Sequence, residues 1–559
     1  METTDWWLKP LAWLFERRPD WRDSFGRLLL RIGNHFYSVL AIVFVLAGAW
    51  DQFVAPFNQQ LSDASFDWLM RYRPLAYQPD PDIVVLDIDE ASLSALAPQY
   101  GRWPWPRQVL AEVAATLEAS GTRAVMFDIL FADPDVANRD SEQAFDRYVA
   151  SSRNSFYPAI RLNPKNDAES QITVSMLNFA GRDPTIDPAQ VDGRRTIALL
   201  PPYFKSIYDS TRTGINNIST DTDNEVRWYF NYESLGGYRI PSLPYRMAQV
   251  LGWPLPAQPR SLINWPRGAT PYRTISFADA YRAHRNHDDA FFARFAGSVA
   301  LIGSTAPGLN DFKATPVDHV HPGIYVLATV IDNTKNNHFL RPLRPAWIWG
   351  MELLMLAASA RLFRRTDRAT VVAKYFVIIP VVLLSLSLLS VSVSDLLIDL
   401  SVPTALVLGY FSLATIFETN SRAFASGTGP FAPAPHEMAA GQLQVACLPA
   451  SLPRSTVGAM LTRIGCPIKL WMPPKAGLGK HWNGQGWVLW RWYVRGSDDM
   501  APRALERSAS QPFDLRWHDV QAPDVPDSSF SLAHAIAAAA RDSGPPSGAA
   551  NRDGKTEPG

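Results

Sequence analysis

Four long apolar runs decide what this chain can fold into. Phe36 to Val54, Trp347 to Phe363, Tyr375 to Val393 and Leu400 to Phe417 each approach the roughly 20 apolar residues with which a helix crosses a bilayer core. The second contains Glu352 and the third Pro380, both tolerated where neighbouring helices face them. Lys and Arg stay on the cytoplasmic side of such spans. Lys9, Arg17, Arg18, Arg22, Arg27 and Arg31 precede the first run, and Arg361, Arg364, Arg365, Arg368 and Lys374 lie between the second and third. The loop between the third and fourth carries only Asp395 and Asp399. All three facts agree on one expectation: N-terminus inside, residues 55 to 346 outside, C-terminus inside. Ala47-Gly48-Ala49 has the form of a signal-peptide cleavage site; the basic segment before it is longer than such peptides carry, which favours an uncleaved span.

The expected fold class is that of a membrane protein with an exported α/β domain. Ile83 to Leu86 is a continuous β-branched and apolar run, the pattern of a strand buried on both faces, and it ends in Asp87, Asp89 and Glu90. After the Trp103-to-Arg107 turn, Leu110, Val113, Ala114 and Leu117 recur on one helical face. Gly121 closes that helix, and Ala124 to Phe131 gives a second buried strand carrying Asp128. A strand–helix–strand crossover implies a mainly parallel sheet. Further strands are expected over Thr196–Leu200, Val226–Tyr232 and Val299–Gly303, and helices over Pro244–Leu251 and His321–Asn337. Residues 160 to 195 are polar, Pro-rich and aperiodic, the pattern of a loop rather than of core. The exported region has no cysteine, since Cys447 and Cys466 both lie near the C-terminus; its own core must hold it.

IVVLDIDE, GRWPWPR and AVMFDILF stand in this order within residues 83 to 131. The stretch resembles the opening of the second type of CHASE domain, an extracytoplasmic sensory module of bacterial receptors. The resemblance covers roughly residues 60 to 345. It continues through Asp221 to Arg227, Ile263-Asn264-Trp265, Ser298 to Pro316 and His321 to Ala328. Asn224 stands where the family has glycine, and Leu327 where a His often lies. The resemblance implies a sensor with one span before it and three after it.

In open α/β sheets ligands bind beyond the carboxyl ends of the strands. Asp87, Asp89, Asp128 and Asp311 are expected there, with the Gly303 to Gly308 loop nearby and Arg107 opposite them. Such carboxylates hold a cation or a ligand amine or hydroxyl; equally, they cap helices or pair with arginines. Trp103 and Trp105 read more readily as core wedges than as ligand platforms. Asp318, His319 and His321 form a weak metal-like cluster, and two cysteines nineteen apart fall short of a zinc site. No cofactor or metal is expected. With 53 basic and 53 acidic residues there is no electrostatic case for nucleic acid.

The division expected is a cytoplasmic N-terminus over 1–35, spans over 36–54, 347–363, 375–393 and 400–417, and a sensor over 55–346. A linker over 425–435, a small β-rich domain over 436–523 and a disordered tail over 524–559 follow. Gly486 to Val494 reads as a strand of that small domain, five tryptophans (Trp471, Trp482, Trp487, Trp490 and Trp492) as its filling, and Ser529 to Arg541 as a short helix. The tail lacks the paired metal-binding aspartates of a nucleotide cyclase, the phosphate loop and catalytic Asp of a kinase, and the hairpin of a diguanylate cyclase. Gly477 and Gly479 precede Lys480, but His481 replaces the Ser or Thr of a phosphate loop. The reading leans against an enzyme. It favours an inner-membrane sensor with an extracytoplasmic ligand, contact with membrane lipid and a cytoplasmic signalling partner; a homodimer is left open. A diverged cyclase or kinase output, and an envelope scaffold that transmits nothing, are the alternatives.

Overall fold

The computed structural model describes residues 28, 29, 32, 35–136, 138–268, 271–309, 311–365, 369–426, 442–448, 469–471, 487–493 and 518–520. The expected helix over Ser529–Arg541, the disordered tail, the Gly477–His481 turn and most of the 1–35 and 425–435 segments lie outside the described residues. Two compact units divide the chain: Trp50–Gly350 with Ile378–Thr404, and Met1–Ala49 with Met351–Val377 and Ala405–Gly559.

Helix α1 (His35–Phe53) covers the first apolar run, and α2 (Gln59–Tyr72) follows it. Strand β1 (Ile83–Asp87) leads through α3 (Glu90–Tyr100) and α4 (Gln108–Ala119) to β2 (Ala124–Phe127), and α5 (Arg139–Ser151) carries the chain on to β3 (Ser155–Arg161). Then come β4 (Leu199–Leu200), β5 (Thr213–Ile215), α6 (Leu243–Leu251), β6 (Arg273–Ser276), α7 (Phe277–Arg285), β7 (Val299–Gly303) and α8 (Gly323–Asn336). The later apolar runs form α9 (Pro345–Arg365), α10 (Ala369–Val393) and α11 (Ser401–Ser426). With α1 they are four helices long and apolar enough to cross a membrane.

The main sheet of the larger unit has seven strands in the order β6-β1-β7-β2-β3-β4, with β5 also on β3. Every pairing is parallel except the short β3–β4 edge. Alternation along the strands splits the core into two layers, as a sheet covered on both faces requires. Ile83, Val85, Ala124, Met126, Val299 and Leu301 face α2, α6 and α8. Val84, Leu86, Val125, Phe127, Ala300 and Ile302 face α3, α4, α5 and α7. The apolar stripe of α4, including Val113 and Leu117, is fully buried. Cutting such a leucine to alanine costs about 2–5 kcal/mol.

Four local expectations need correction. Helix α3 has no counterpart in the sequence reading, because its apolar periodicity is weak and Pro98 lies inside it. Asp89 makes it possible by accepting the Ser92 amide at 2.6 Å as its N-cap. The run 226–232 is split into Trp228–Phe230 and Tyr232–Leu235, which pair antiparallel with 260–262 and 238–241 outside the main sheet. The strand expected over 196–200 is only two residues long. Residues 160–195 are not mere loop: Val174, Leu177 and Phe179 join Ile197, Ile215 and Ile240 in a third small core.

In the C-terminal region β8 (Gln442–Leu448), β9 (Lys469–Trp471), β10 (Trp487–Tyr493) and β11 (His518–Val520) form an antiparallel sheet in the order β9-β10-β8-β11. The tryptophan-bearing strand expected over 486–494 is β10.

Candidate functional site

The carboxyl ends of β1, β2 and β7 bring the predicted aspartates to one edge of the sheet, yet the four are held differently. The Asp87 carboxylate is buried and accepts the amide of Thr305 at 2.8 Å and its hydroxyl at 2.5 Å. It thereby ties the loop after β7 to the end of β1. Burial raises its pKa and the Thr305 bonds work against that. Asp89, besides capping α3, accepts the Ser276 hydroxyl at 3.0 Å. Both aspartates are committed to backbone and hydroxyl donors of their own fold.

Asp128 is different. Among the described residues its one hydrogen bond from a side chain comes from Asn216 Nδ2 at 2.7 Å. Its pKa is pushed up to about 7, first by burial and then by the Asp311 carboxylate. The Asn216 side chain is itself buried, and its Oδ1 has no partner among the described residues. Asp311 pairs with Lys313 at 3.1 Å and lies against the first residue of α8, where a Cβ on Gly323 would fall 2.0 Å from its Oδ2. Only glycine leaves room for that carboxylate at the positive end of the helix. Gly303 does the same for Asp128, since a Cβ there would fall 3.0 Å from the Asp128 Cβ and 2.7 Å from Ile324. The corner therefore gathers two carboxyl groups, the Lys313 ammonium and an amide oxygen without a partner among the described residues. It is suited to an amine- or hydroxyl-bearing molecule.

Arg107 does not stand opposite these groups. Its guanidinium bonds Glu142 at 3.2 Å and the Asp133 carbonyl, and lies 4.9 Å from the Phe204 ring. It fastens the start of α4 to the loop and helix after β2. Trp105 is buried and stacks on Phe277 at 5.7 Å, a core wedge. Asp318, His319 and His321 do not converge. His321 is 1% exposed, lies edge-on to Trp265, and is kept neutral by burial, which lowers its pKa to about 4. His319 is exposed and faces Glu225. Among the described residues no group of three or more His, Cys, Asp or Glu side chains is placed to hold a metal ion. Leu327 is buried in the core.

Two features escaped the sequence reading. Arg227, 2% exposed, is ringed by Asp67 at 2.6 Å, Asp223 at 2.7 Å, and Asp221 and Glu225 at 3.3 Å. Burial works against its charge, but the hydrogen bonds it donates to Asp67 and Asp223 outweigh it and raise its pKa. Asn224 adopts φ +66° in this turn, a left-handed conformation that Asn tolerates better than most residues.

The second feature is the turn between α10 and α11, which is built into the α/β unit. Leu396 and Leu397 pair with Arg341 and Pro342, and Val391 and Leu397 sit in the core beneath the sheet. Asp395 accepts from Asn264 at 3.2 Å and faces His338 at 3.3 Å. Asp399 accepts from Ser65 of α2 at 3.3 Å. Buried Arg73 bonds the carbonyls of Val391 and Trp265, and burial lowers its pKa to about 10. The sequence signal was faint: two acidic residues in an otherwise apolar connection.

No curated protein and no solved structure matches the chain. A family model does, that of the CHASE2 domain, over residues 39–362. That span is more than half of the 559 residues and contains the whole seven-stranded sheet with its covering helices. The chain belongs to the CHASE2 family, a family of extracytoplasmic sensory domains, whose model it matches over residues 39–362.

Proposed function

We propose that the protein is a receptor that reads a signal outside the cell and passes it across the bacterial inner membrane through α1, α9, α10 and α11. In this reading the CHASE2 domain faces the periplasm, both termini lie in the cytoplasm, and the C-terminal sheet meets a signalling partner without doing chemistry. One observation carries the transmission step: the α10–α11 turn shares a core, a strand pairing and the Asp395 contacts with the sensor. A shift in the sensor that reorients this turn moves two membrane helices by rigid leverage, a change in populations rather than a reaction. The corner of Asp128, Asn216 and Asp311 is where an amine- or hydroxyl-bearing ligand would bias that equilibrium.

Reporter fusions test the placement: Asn216 should report outside, Arg365 and Thr428 inside. An exported reporter at Thr428 ends the four-span reading. Transmission is tested on full-length protein in nanodiscs by limited proteolysis of the region after residue 426. Asp395→Ala should change its cleavage pattern, while Arg153→Ala, an exposed change in the sensor, should not. An unchanged pattern for both favours a scaffold. A thermal-shift panel of amino sugars, polyamines and monosaccharides tests the corner, since a ligand at 100 times its Kd stabilises by about 2.7 kcal/mol. A hit must vanish in Asp128→Asn. Incubation with ATP or GTP and magnesium or manganese should give no cyclic nucleotide and no phosphoprotein.

A further inference from the structure

Helices α1 and α9 pack antiparallel. The Tyr37 ring stacks on Phe363 at 5.4 Å near one end, and a Cβ on Gly48 would lie 2.0 Å from the Glu352 carboxylate eleven residues further along each helix. On this pair lies a crevice of about 460 Å³, within the roughly 300–1,000 Å³ of small-molecule sites. Its two ends differ in chemistry. Ala41 and Ile42 of α1 and Ala357 of α9 line one end. Ser38 of α1, with Arg361 and Arg364 of α9, lines the other. The spacing explains this: positions three and four apart share a helix face, so Ser38, Ala41 and Ile42 form one stripe and Ala357, Ala360, Arg361 and Arg364 the facing one. Alanines at 41, 357 and 360 leave the volume open.

We infer that this crevice is a binding site for one anionic phospholipid of the cytoplasmic leaflet. Arg361 and Arg364 are exposed and have no carboxylate partner among the described residues. Two guanidinium groups one turn apart, beside the Ser38 hydroxyl, fit the charge and acceptor geometry of a phosphodiester. The apolar end fits the start of an acyl chain. A free phosphate would satisfy only the arginines, and a zwitterionic lipid would bring its own cation to them. Basic pockets between membrane helices on the cytoplasmic side take anionic headgroups for this reason. The lipid joins α1, which enters the sensor, to α9, which leaves it, so its occupancy stiffens the pair. The inference rests on the membrane placement proposed above.

The experiment is native mass spectrometry of the full-length protein in mild detergent, titrated with phosphatidylglycerol, with phosphatidylcholine, and with inorganic phosphate alone. Phosphatidylglycerol should be retained over phosphatidylcholine, and phosphate should not displace it. Arg361→Gln with Arg364→Gln should weaken retention about 30-fold, and Ala357→Leu, which fills the apolar end and leaves the charges, should weaken it too. Arg341→Gln with Arg344→Gln, exposed arginines at the far end of the same segment, should change nothing. Equal retention of the two lipids, displacement by phosphate, or an equal loss in the Arg341/Arg344 variant overturns the site. Membrane washing separates the two readings. A chain that resists carbonate extraction yet shows no lipid preference sinks the lipid site alone; one that washes off sinks the membrane placement beneath it.

Discussion

The Arg227 cluster and the Asp128 corner are both carboxylate-rich, and they solve the same electrostatic problem in opposite ways. Around Arg227 four carboxylates share one buried guanidinium, which fixes α2 to the 221–227 turn. At Asp128 the Lys313 ammonium is paired with Asp311 and only partly offsets burial, so the carboxyl holds its proton toward about pH 7. Identical side chains thus become a structural clamp where they share a guanidinium, and a proton-holding corner where the nearby cation is paired elsewhere. A buried charge must be paired or neutralised, and the two clusters take different routes.

The largest effect should fall on the clamp. Arg227→Met leaves several carboxylates facing one another, and full-length protein in detergent should lose about 3–5 kcal/mol in urea unfolding. A loss below about 1 kcal/mol would mean that the cluster is not a clamp, and the contrast with Asp128 would fail.

Next comes a buried group without a hydrogen bond among the described residues. Both ring nitrogens of His321 are without partners among the described residues, and burial lowers its pKa from 6.5 to about 4 despite Asp318 nearby. The folded state therefore binds fewer protons than the unfolded one. Stability should fall as pH drops from 6.5 through 4, by about 3 kcal/mol in all. His321→Phe should flatten that slope; an unchanged slope would place the acid sensitivity elsewhere.

A smaller change is expected at the aspartate that caps α3. Asp89→Ala should cost about 1 kcal/mol and Asp89→Ser much less. Loss of signalling response with no loss of stability would move Asp89 from the scaffold to the ligand corner.

Asp128→Asn should matter least for stability near pH 5, within about 0.5 kcal/mol, because the native group is then largely protonated. A folded-state pKa raised from 3.8 to about 7 means that the folded state binds the proton more tightly. The wild-type protein should lose stability as pH rises from about 4 through 7, and the variant should not. Parallel pH profiles for the two proteins would show that the corner is not protonated, and the comparison with Arg227 would lose its second half.

Much of this was legible in local sequence. The apolar runs mark α1, α9, α10 and α11 because length and hydropathy are properties of contiguous residues. Val84-Val85-Leu86 and Ala300-Leu301-Ile302 mark central parallel strands because both faces of such strands are covered. The Asp-Thr-Asp-Asn-Glu-Val-Arg run marked a turn, but not that Asp67 on α2 would complete it from 160 residues away. Likewise Arg107 looked like a partner for the strand-end aspartates until its neighbours on α5 and the loop before it were known.

What the sequence by itself determined is therefore the order of the long apolar helices, the parallel α/β core and the set of aspartates at its edge. Hydrophobic period and length are written residue by residue. Only the tertiary structure decided which aspartates were spent on Thr305, Ser92 and Ser276, and which kept a free face. It alone joined Asp395 to Asn264 across 131 positions and Asp399 to Ser65 across 334. Hydrogen-bond partners and counter-charges are chosen by proximity in space, and burial raises the energy of leaving any of them unmade; that choice has no local signature.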